Sequence, residues 1–141
     1  MTYRTTVTRQ FVAQHFLTVP DPGPEGELHS HVFSVEAAFA GPSLDEYDYL
    51  VDIDEVRAAL DDCEARYRDA TLNDLPEFEG YNPSVERFAR VLHGRIAPAA
   101  ADGPAETLRV TVREDEDAAA GYEGPIAGAD GAVASGGGAD G

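Results

Sequence analysis

Two segments near the N-terminus alternate apolar and polar residues with a period of two, the pattern of strands that bury one face. Residues 3–19 form the first segment and residues 29–40 the second. Residues 20–27, between them, hold three prolines and two glycines, so we expect a loop there. The residues that share the predicted buried face are Tyr3, Thr5, Val7, Phe11, Ala13, His15 and Leu17 in the first strand and His31, Phe33, Val35, Ala37 and Phe39 in the second.

Two later segments place apolar residues at the spacing of helix faces. The first helix is expected to begin near Asp52 or Asp54, because either carboxylate can accept from the free N–H groups of a first turn. The second is expected to begin at Asn82-Pro83, with Asn82 as the N-cap and Pro83 in the first turn. The apolar stripes are Val56, Leu60, Cys63 and Tyr67 in the first helix and Val85, Phe88, Ala89, Leu92 and Ile96 in the second.

The strand pattern returns after the helices. Residues 106–114 alternate cleanly, and a short strand is expected at residues 119–122. Two strands, two helices and two more strands predict an α+β fold, an antiparallel sheet with both helices packed on one face. We expect one domain over residues 1–123 and a disordered acidic Gly/Ala-rich tail over residues 124–141.

The composition narrows the possible partners. The formal net charge is −17, which argues against binding to nucleic acid or to anionic membranes. No apolar run is long enough to cross a membrane, and the single cysteine, Cys63, suits a reducing compartment, so we expect a cytoplasmic protein. Because the chain is acidic and has no lysine, we hypothesise a salt-loving cell, where high ionic strength screens self-repulsion. Equal folding and solubility in low and molar salt would remove the support for this hypothesis.

Three histidines lie on the two predicted N-terminal strands. His29 and His31 are two residues apart, so both rings point to one face of their strand, roughly 7 Å apart at the Cα atoms. If the strands pair as a hairpin, His15 can meet them. Three neutral imidazoles with an open fourth position is an arrangement of catalytic zinc sites. The alternative from spacing alone is that each ring is an ordinary core or surface histidine.

Six short segments then follow one another across residues 8–123. They are Phe11-Val12-Ala13-Gln14-His15, His29-Ser30-His31, Val51-Asp52-Ile53, Leu72-Asn73, Asn82-Pro83-Ser84-Val85-Glu86 and Val112-Arg113-Glu114. In this order and spacing they resemble the 6-pyruvoyltetrahydropterin synthase and 6-carboxytetrahydropterin synthase family. The resemblance implies a tunnelling fold (T-fold), a Zn²⁺ ion on His15, His29 and His31, and dihydroneopterin triphosphate as substrate. It also implies a homohexamer, a dimer of trimers, with sites between subunits.

Glu114 is in phase with the apolar residues of its strand, where a carboxylate is costly without a partner. The structural alternative is that the strand ends at Val112 and Glu114 is solvated. Glu114 matches the family glutamate that pairs with the N–H groups of the pterin's amino-pyrimidine edge, and a carboxylate can accept two such parallel hydrogen bonds. The resemblance therefore implies a substrate-binding role for Glu114.

The chain departs from the family at its proton relay. The position of the family's catalytic cysteine is Glu25, and the positions of its Asp-His pair are Arg68 and Asp69. Cys63 cannot replace the missing cysteine because it lies on the apolar stripe of the first helix. Some family members carry glutamate at the cysteine position, so the resemblance implies that Glu25 is the general base, with Asp69 assisting. The structural alternative is that Glu25 is an ordinary acidic residue of a Pro/Gly loop in an acidic protein.

Two functions follow from these departures. The first is a zinc-dependent lyase that acts on 7,8-dihydroneopterin triphosphate or a related dihydropterin, cleaving its side chain to 6-hydroxymethyl-dihydropterin. The alternative is a zinc- and pterin-binding protein of the same fold that no longer catalyses, since zinc can serve stability alone.

Overall fold

A computed structural model describes residues 1–126 as one four-stranded antiparallel sheet in the order β1-β2-β3-β4. The strands are β1 (Tyr3–His15), β2 (His29–Gly41), β3 (Thr107–Arg113) and β4 (Ala119–Pro125). Each strand pairs with the next one along the chain. This arrangement confirms the predicted α+β fold class and its antiparallel sheet.

Two helices, α1 (Ile53–Tyr67) and α2 (Val85–Ile96), separate β2 from β3 and pack on one face of the sheet. Asp52 is the N-cap of α1, and its carboxylate accepts from the backbone N–H groups of Asp54 and Glu55. The prediction that Asn82 caps α2 was wrong. Ser84 is the cap, with its Oγ accepting from the N–H of Arg87, because the Asn82 side chain is turned toward Thr18.

The core lies between the helices and the inward face of the sheet. Alternate residues of β1, β2 and β3 point inward and contact the apolar stripes predicted for the two helices. The strand period of two and the helix period of 3.6 residues each turn one face toward the core. The largest fully buried side chains are Tyr67, Phe33, Phe39, Phe78, Phe88, Leu60, Leu72, Leu92, Ile96, Leu108, Val35 and Val56. The sheet face away from the helices is polar, as the alternation requires.

The element ends differ from the predicted ones at three places. Strand β1 ends at His15 rather than at residue 19, because β2 begins opposite it at His29 and offers no further backbone partner. The predicted loop 20–27 contains a 3₁₀ turn, Gly23–Gly26. Strand β4 continues to Pro125, and Ile126 is buried, so residues 124–126 belong with the sheet. The rest of the predicted tail, residues 127–141, lies outside the described residues.

His93 of α2 contacts the last strand, β4. Its Nε2 lies 3.3 Å from the carbonyl oxygen of Gly124, and its ring packs edge-on against Tyr122. This fourth histidine therefore contacts β4, apart from the other three. Within residues 1–126, no helix is both long and apolar enough to cross a membrane.

Candidate metal centre

Strand pairing brings the three N-terminal histidines together. In the β1–β2 register, His15 is directly opposite His29, and His31 is opposite Ala13. The ring centroids are 4.6 Å apart for His15 and His29, 4.9 Å for His29 and His31, and 5.4 Å for His15 and His31. One ring nitrogen of each lies within 4.8 Å of the other two. The three imidazoles thus form a single cluster at the loop end of the β1–β2 hairpin, where residues 16–28 connect the two strands.

Backbone carbonyls fix two of these rings. The Nδ1 of His15 donates to the carbonyl oxygen of Pro83 at 2.9 Å, and the Nδ1 of His29 donates to that of Glu27 at 2.8 Å. Because a carbonyl only accepts, Nδ1 carries the proton and Nε2 presents a lone pair. The Nε2 of His29 is the one buried side-chain nitrogen or oxygen that has no hydrogen-bond partner within the described part of the chain. A buried lone pair without a partner is what a metal ligand presents before the ion binds.

The surroundings of His15 favour its neutral form. His15 is almost fully buried, and this burial lowers its pKa. The neighbouring rings of His29 and His31 lower it further, whereas the Pro83 carbonyl and the Glu25 carboxylate act in the opposite direction. Neutral imidazole is the form that binds metal ions, and three imidazoles with an open position are a donor set that suits zinc. The residues present therefore fit the ion that the resemblance implies.

Glu114 lies beside this cluster. Strand β3 ends at Arg113, and the backbone N–H of Glu114 donates to the carbonyl oxygen of Ala118 in the turn to β4. The Glu114 Oε1 is 3.7 Å from the Nε2 of His31, and the glutamate side chain is 20% exposed. The carboxylate is therefore partly buried against a candidate metal ligand, although it follows the end of the strand.

Glu25 lies in the 3₁₀ turn and is exposed. Its carbonyl oxygen accepts from the N–H of Leu17 at 2.8 Å, which ties the turn to the segment after His15. The turn depends on its glycines. Gly23 has a φ of 66°, and a Cβ on Gly26 would lie 2.5 Å from the Pro22 ring. Glu25 thus sits on a short, constrained turn, close enough for its charge to act on His15.

Asp69 lies just after α1 with a φ of 61°, in the left-handed region. Its N–H donates to the carbonyl oxygen of Val12 at 2.7 Å. Asp69 therefore lies next to β1, beside the residue that precedes His15 by three positions. Its side chain is exposed, and no contact within residues 1–126 joins its carboxylate to the histidines. The guanidinium of the preceding Arg68 pairs instead with Glu64.

Cys63 is buried in the core, where burial raises its pKa to about 11. A thiol with so high a pKa stays protonated near neutral pH and is a poor nucleophile or acid–base group. This agrees with the expectation that Cys63 does not replace the missing cysteine.

Sequence reasoning missed the contribution of the two asparagines. Asn73 and Asn82 both bind the backbone just after His15. A cavity of about 690 Å³ opens beside this segment. It is lined by Phe16, Thr18, Asn73, Asp74, Leu75, Pro76, Phe78, Glu79, Gly80, Tyr81 and Asn82. The available signal was their place in two of the segments that carry the family resemblance, Leu72-Asn73 and Asn82-Pro83-Ser84-Val85-Glu86.

Comparison with known proteins gives one family and one fold. A family model described as 6-pyruvoyl tetrahydropterin synthase matches residues 4–125. A Caenorhabditis elegans 6-pyruvoyl tetrahydropterin synthase structure is similar at 14% identity and a TM-score of 0.75, covering 88% of this chain and 96% of that one. Plasmodium vivax synthase structures with alanine or cysteine in place of a catalytic glutamate are similar at 12% identity, with TM-scores of 0.71 and 0.72, and each match covers 89% of this chain and 99% of that one.

Proposed function

The chain belongs to the 6-pyruvoyl tetrahydropterin synthase family, and on that premise we propose that it is a zinc-dependent lyase acting on a dihydropterin. The substrate we propose is 7,8-dihydroneopterin triphosphate or a close relative, with side-chain cleavage to 6-hydroxymethyl-dihydropterin. The observation that carries this proposal is the convergence of His15, His29 and His31 beside the Glu114 carboxylate. The family consists of lyases that act on pterins, and its enzymes use zinc.

In this proposal the three histidines hold the ion. His15 and His29 bind through Nε2, because their Nδ1 atoms donate to backbone carbonyls. Zinc held there would supply Lewis-acid polarisation of the substrate's side-chain oxygens and stabilise negative charge that develops on them. The protein's own contribution is to lower the pKa of His15 by burial and to orient the His15 and His29 rings before the substrate arrives.

Glu114 would bind the pterin ring. Its carboxylate accepts two parallel N–H bonds from the amino-pyrimidine edge and fixes the orientation of the side chain toward the metal. Its 20% exposure supports this role, because the turn holds the backbone of Glu114 while its carboxylate stays partly open to a ligand. Glu114 is adjacent to His31, so one small substrate could reach both the Glu114 carboxylate and the histidine cluster.

Glu25 would act as the general base. It would accept the proton of a side-chain hydroxyl of the substrate, and the carbon that bears this oxygen would become an aldehyde as its bond to the neighbouring carbon breaks. The electron pair of that bond would pass into the C=N group of the dihydropterin ring, and the proton would return to the released carbon to give the hydroxymethyl product. The Plasmodium vivax variants support this assignment, since their names identify a glutamate as a catalytic residue on the same fold. Asp69 would assist from its position beside β1, and its left-handed backbone, sparsely populated by non-glycine residues, supports a functional constraint there.

We also propose a homohexamer, a dimer of trimers. Both edge strands of the described sheet, β1 and β4, have backbone groups on their outer sides that a second copy can pair with. Light scattering in molar salt, with the chain's high acidity screened, tests this assembly. A monomer at micromolar concentration would refute it.

The direct test is turnover. Zinc-loaded protein is incubated with 7,8-dihydroneopterin triphosphate in low and in molar salt, and the product is identified by mass. Release of 6-hydroxymethyl-dihydropterin supports the proposed reaction. No turnover by protein that binds zinc would favour the alternative, a zinc- and pterin-binding protein without catalysis. The sequence observation behind that alternative is the replacement of the family's relay residues at Glu25, Arg68 and Asp69.

A further inference from the structure

Both asparagines of the chain bind the backbone of residues 16–18, the segment that directly follows His15. Asn73 bonds to both backbone groups of Phe16: its Oδ1 accepts from the N–H at 3.0 Å, and its Nδ2 donates to the carbonyl oxygen at 2.9 Å. The Oδ1 of Asn82 accepts from the N–H of Thr18 at 2.9 Å and from its hydroxyl at 3.3 Å. Two side chains that are distant in sequence thus hold Phe16 and Thr18, the residues on either side of Leu17.

The end of the sheet explains why this segment needs such partners. Strand β1 loses its neighbour at His15, because β2 starts at His29 directly opposite. The backbone groups of Phe16 would then have no ladder partner, and leaving them unpaired in a half-buried position is costly. The Asn73 carboxamide replaces the missing strand, since it offers one acceptor and one donor as a peptide group does. An aspartate at this position could accept but not donate.

The held segment connects two functional groups. On one side, the N–H of Leu17 donates to the carbonyl oxygen of Glu25 and fixes the turn that carries the proposed base. On the other, Pro83 follows Asn82 directly, and its carbonyl orients His15 through the 2.9 Å bond from Nδ1. A displacement of residues 16–18 therefore moves the Glu25 turn and misaligns the His15 ring relative to its carbonyl.

We propose that Asn73 and Asn82 are positioning residues of the metal centre: their hydrogen bonds to residues 16–18 set the orientation of His15 and the place of Glu25. The part concerning Glu25 rests on the proposed function, whereas the part concerning His15 needs only that the histidine cluster binds a metal ion. The two asparagines touch neither the metal ligands nor the substrate edge directly, so they act through the segment they hold.

The test measures Co²⁺ affinity, by visible absorption in chelator-buffered solution, for wild type, N73A, N73D, N82A and N82D. We expect N73A, N73D and N82A to bind Co²⁺ about 10-fold more weakly, the lower end of the effect of losing a group bonded directly to a metal ligand, because the asparagines act one contact further out. N82D should stay within about threefold of wild type, because the Asn82 side chain uses only its oxygen here. The pair at position 82 therefore separates hydrogen bonding from simple loss of a side chain.

A matched control removes a purely structural explanation. Ile96→Val, in the core at the end of α2, should destabilise the fold and leave Co²⁺ affinity unchanged. If N73A and N82A lose no more affinity than this control, the positioning role is refuted. If replacement of Asn73 prevents folding, the comparison of N82A with N82D decides alone, and equal affinities for these two would refute the role.

Activity measurements distinguish a failure of this inference from a failure of the proposed function. Wild type that binds Co²⁺ but turns over no dihydropterin overturns the lyase proposal, while weakened Co²⁺ binding in N73A and N82A still supports positioning of His15. Wild type that turns over substrate while N73A, N73D and N82A keep full Co²⁺ affinity overturns the positioning role and leaves the lyase proposal intact.

Discussion

Zinc should stabilise this protein strongly, because the three histidines join the first and second strands at the end where the long loop, residues 16–28, connects them. The perturbation is the addition of zinc to metal-free protein, compared with the same addition to His29→Ala. His29 is the informative ligand, since its Nε2 is buried and has no partner among residues 1–126. Removing it leaves two of the three converging rings.

The expected size follows from mass action. Free zinc at 100 times its dissociation constant raises the free energy of unfolding by about 2.7 kcal/mol when the unfolded chain does not bind the ion. The described fold spans residues 1–126. At about 2.1 cal/mol/K of unfolding entropy per residue, this gives a rise in Tm of roughly 10 °C. Because protons compete with the ion for the imidazole nitrogens, the rise should shrink at acid pH.

Differential scanning calorimetry in molar salt, with and without chelator-buffered zinc, measures this shift. His93→Ala is the matched control, because His93 contacts Tyr122 and Gly124 rather than the cluster. It should lower the Tm of the metal-free protein yet keep the full zinc-induced rise, whereas His29→Ala should lose most of it. An equal zinc-induced rise in wild type and His29→Ala would falsify the metal centre described here.

Three further predictions concern acidic side chains. Glu25→Gln should lower kcat by about 10²–10⁴-fold with zinc affinity unchanged. The control Glu27→Gln, at an exposed position on the same loop, should keep the wild-type kcat. Stopped assays of product formation measure both variants, and a fully active Glu25→Gln would exclude Glu25 as the base. Glu114→Gln should raise KM for the dihydropterin about tenfold or more, because one oxygen that accepts an N–H bond becomes a donor, and an unchanged KM contradicts its role as ring anchor. Glu77 forms a two-bond ion pair with Arg66, chiefly through which its pKa is lowered to about 2 from 4.5. A carboxylate with a lowered pKa stabilises the fold above its unfolded pKa and loses that effect as the pH falls from about 5 to 2. Glu77→Gln should therefore lower the free energy of unfolding by roughly 1–2 kcal/mol at pH 7, after allowance for solvent screening, and by little at pH 2. Urea unfolding at both pH values measures this difference, and a loss of stability independent of pH would refute the ionic origin.

Much of the candidate site was predictable from local pattern. The period-two alternation placed His15, His29 and His31 in the buried phase of their strands, and a hairpin of adjacent strands then brings such residues together. The Asp52 cap and both helix stripes were equally local, because capping and amphipathic spacing depend on residues only a few positions apart. Glu114 was singled out by its phase and by the family resemblance, and it lies against His31.

The wrong cap of the second helix shows where local reasoning ended. Asn82 and Ser84 are both good capping residues, and nothing within the helix's own sequence distinguishes them. The choice was made by Thr18, 64 residues earlier, whose N–H takes the Asn82 oxygen and leaves Ser84 to cap the helix. The length of β1 was decided in the same way, because its pattern continues to residue 19 while its partner strand does not.

The sequence by itself determined which face each side chain takes, because backbone periodicity and chirality act over a few residues. It also determined the chemistry on offer: three imidazoles, a set of carboxylates and an acidic surface without lysine. Only the tertiary structure decided which groups meet. The Pro83 carbonyl that orients His15 is 68 residues away, and the Asn73 amide that holds Phe16 is 57 residues away. Such contacts depend on how the helices pack against the sheet, and no local sequence pattern specifies contacts between residues so far apart in the chain.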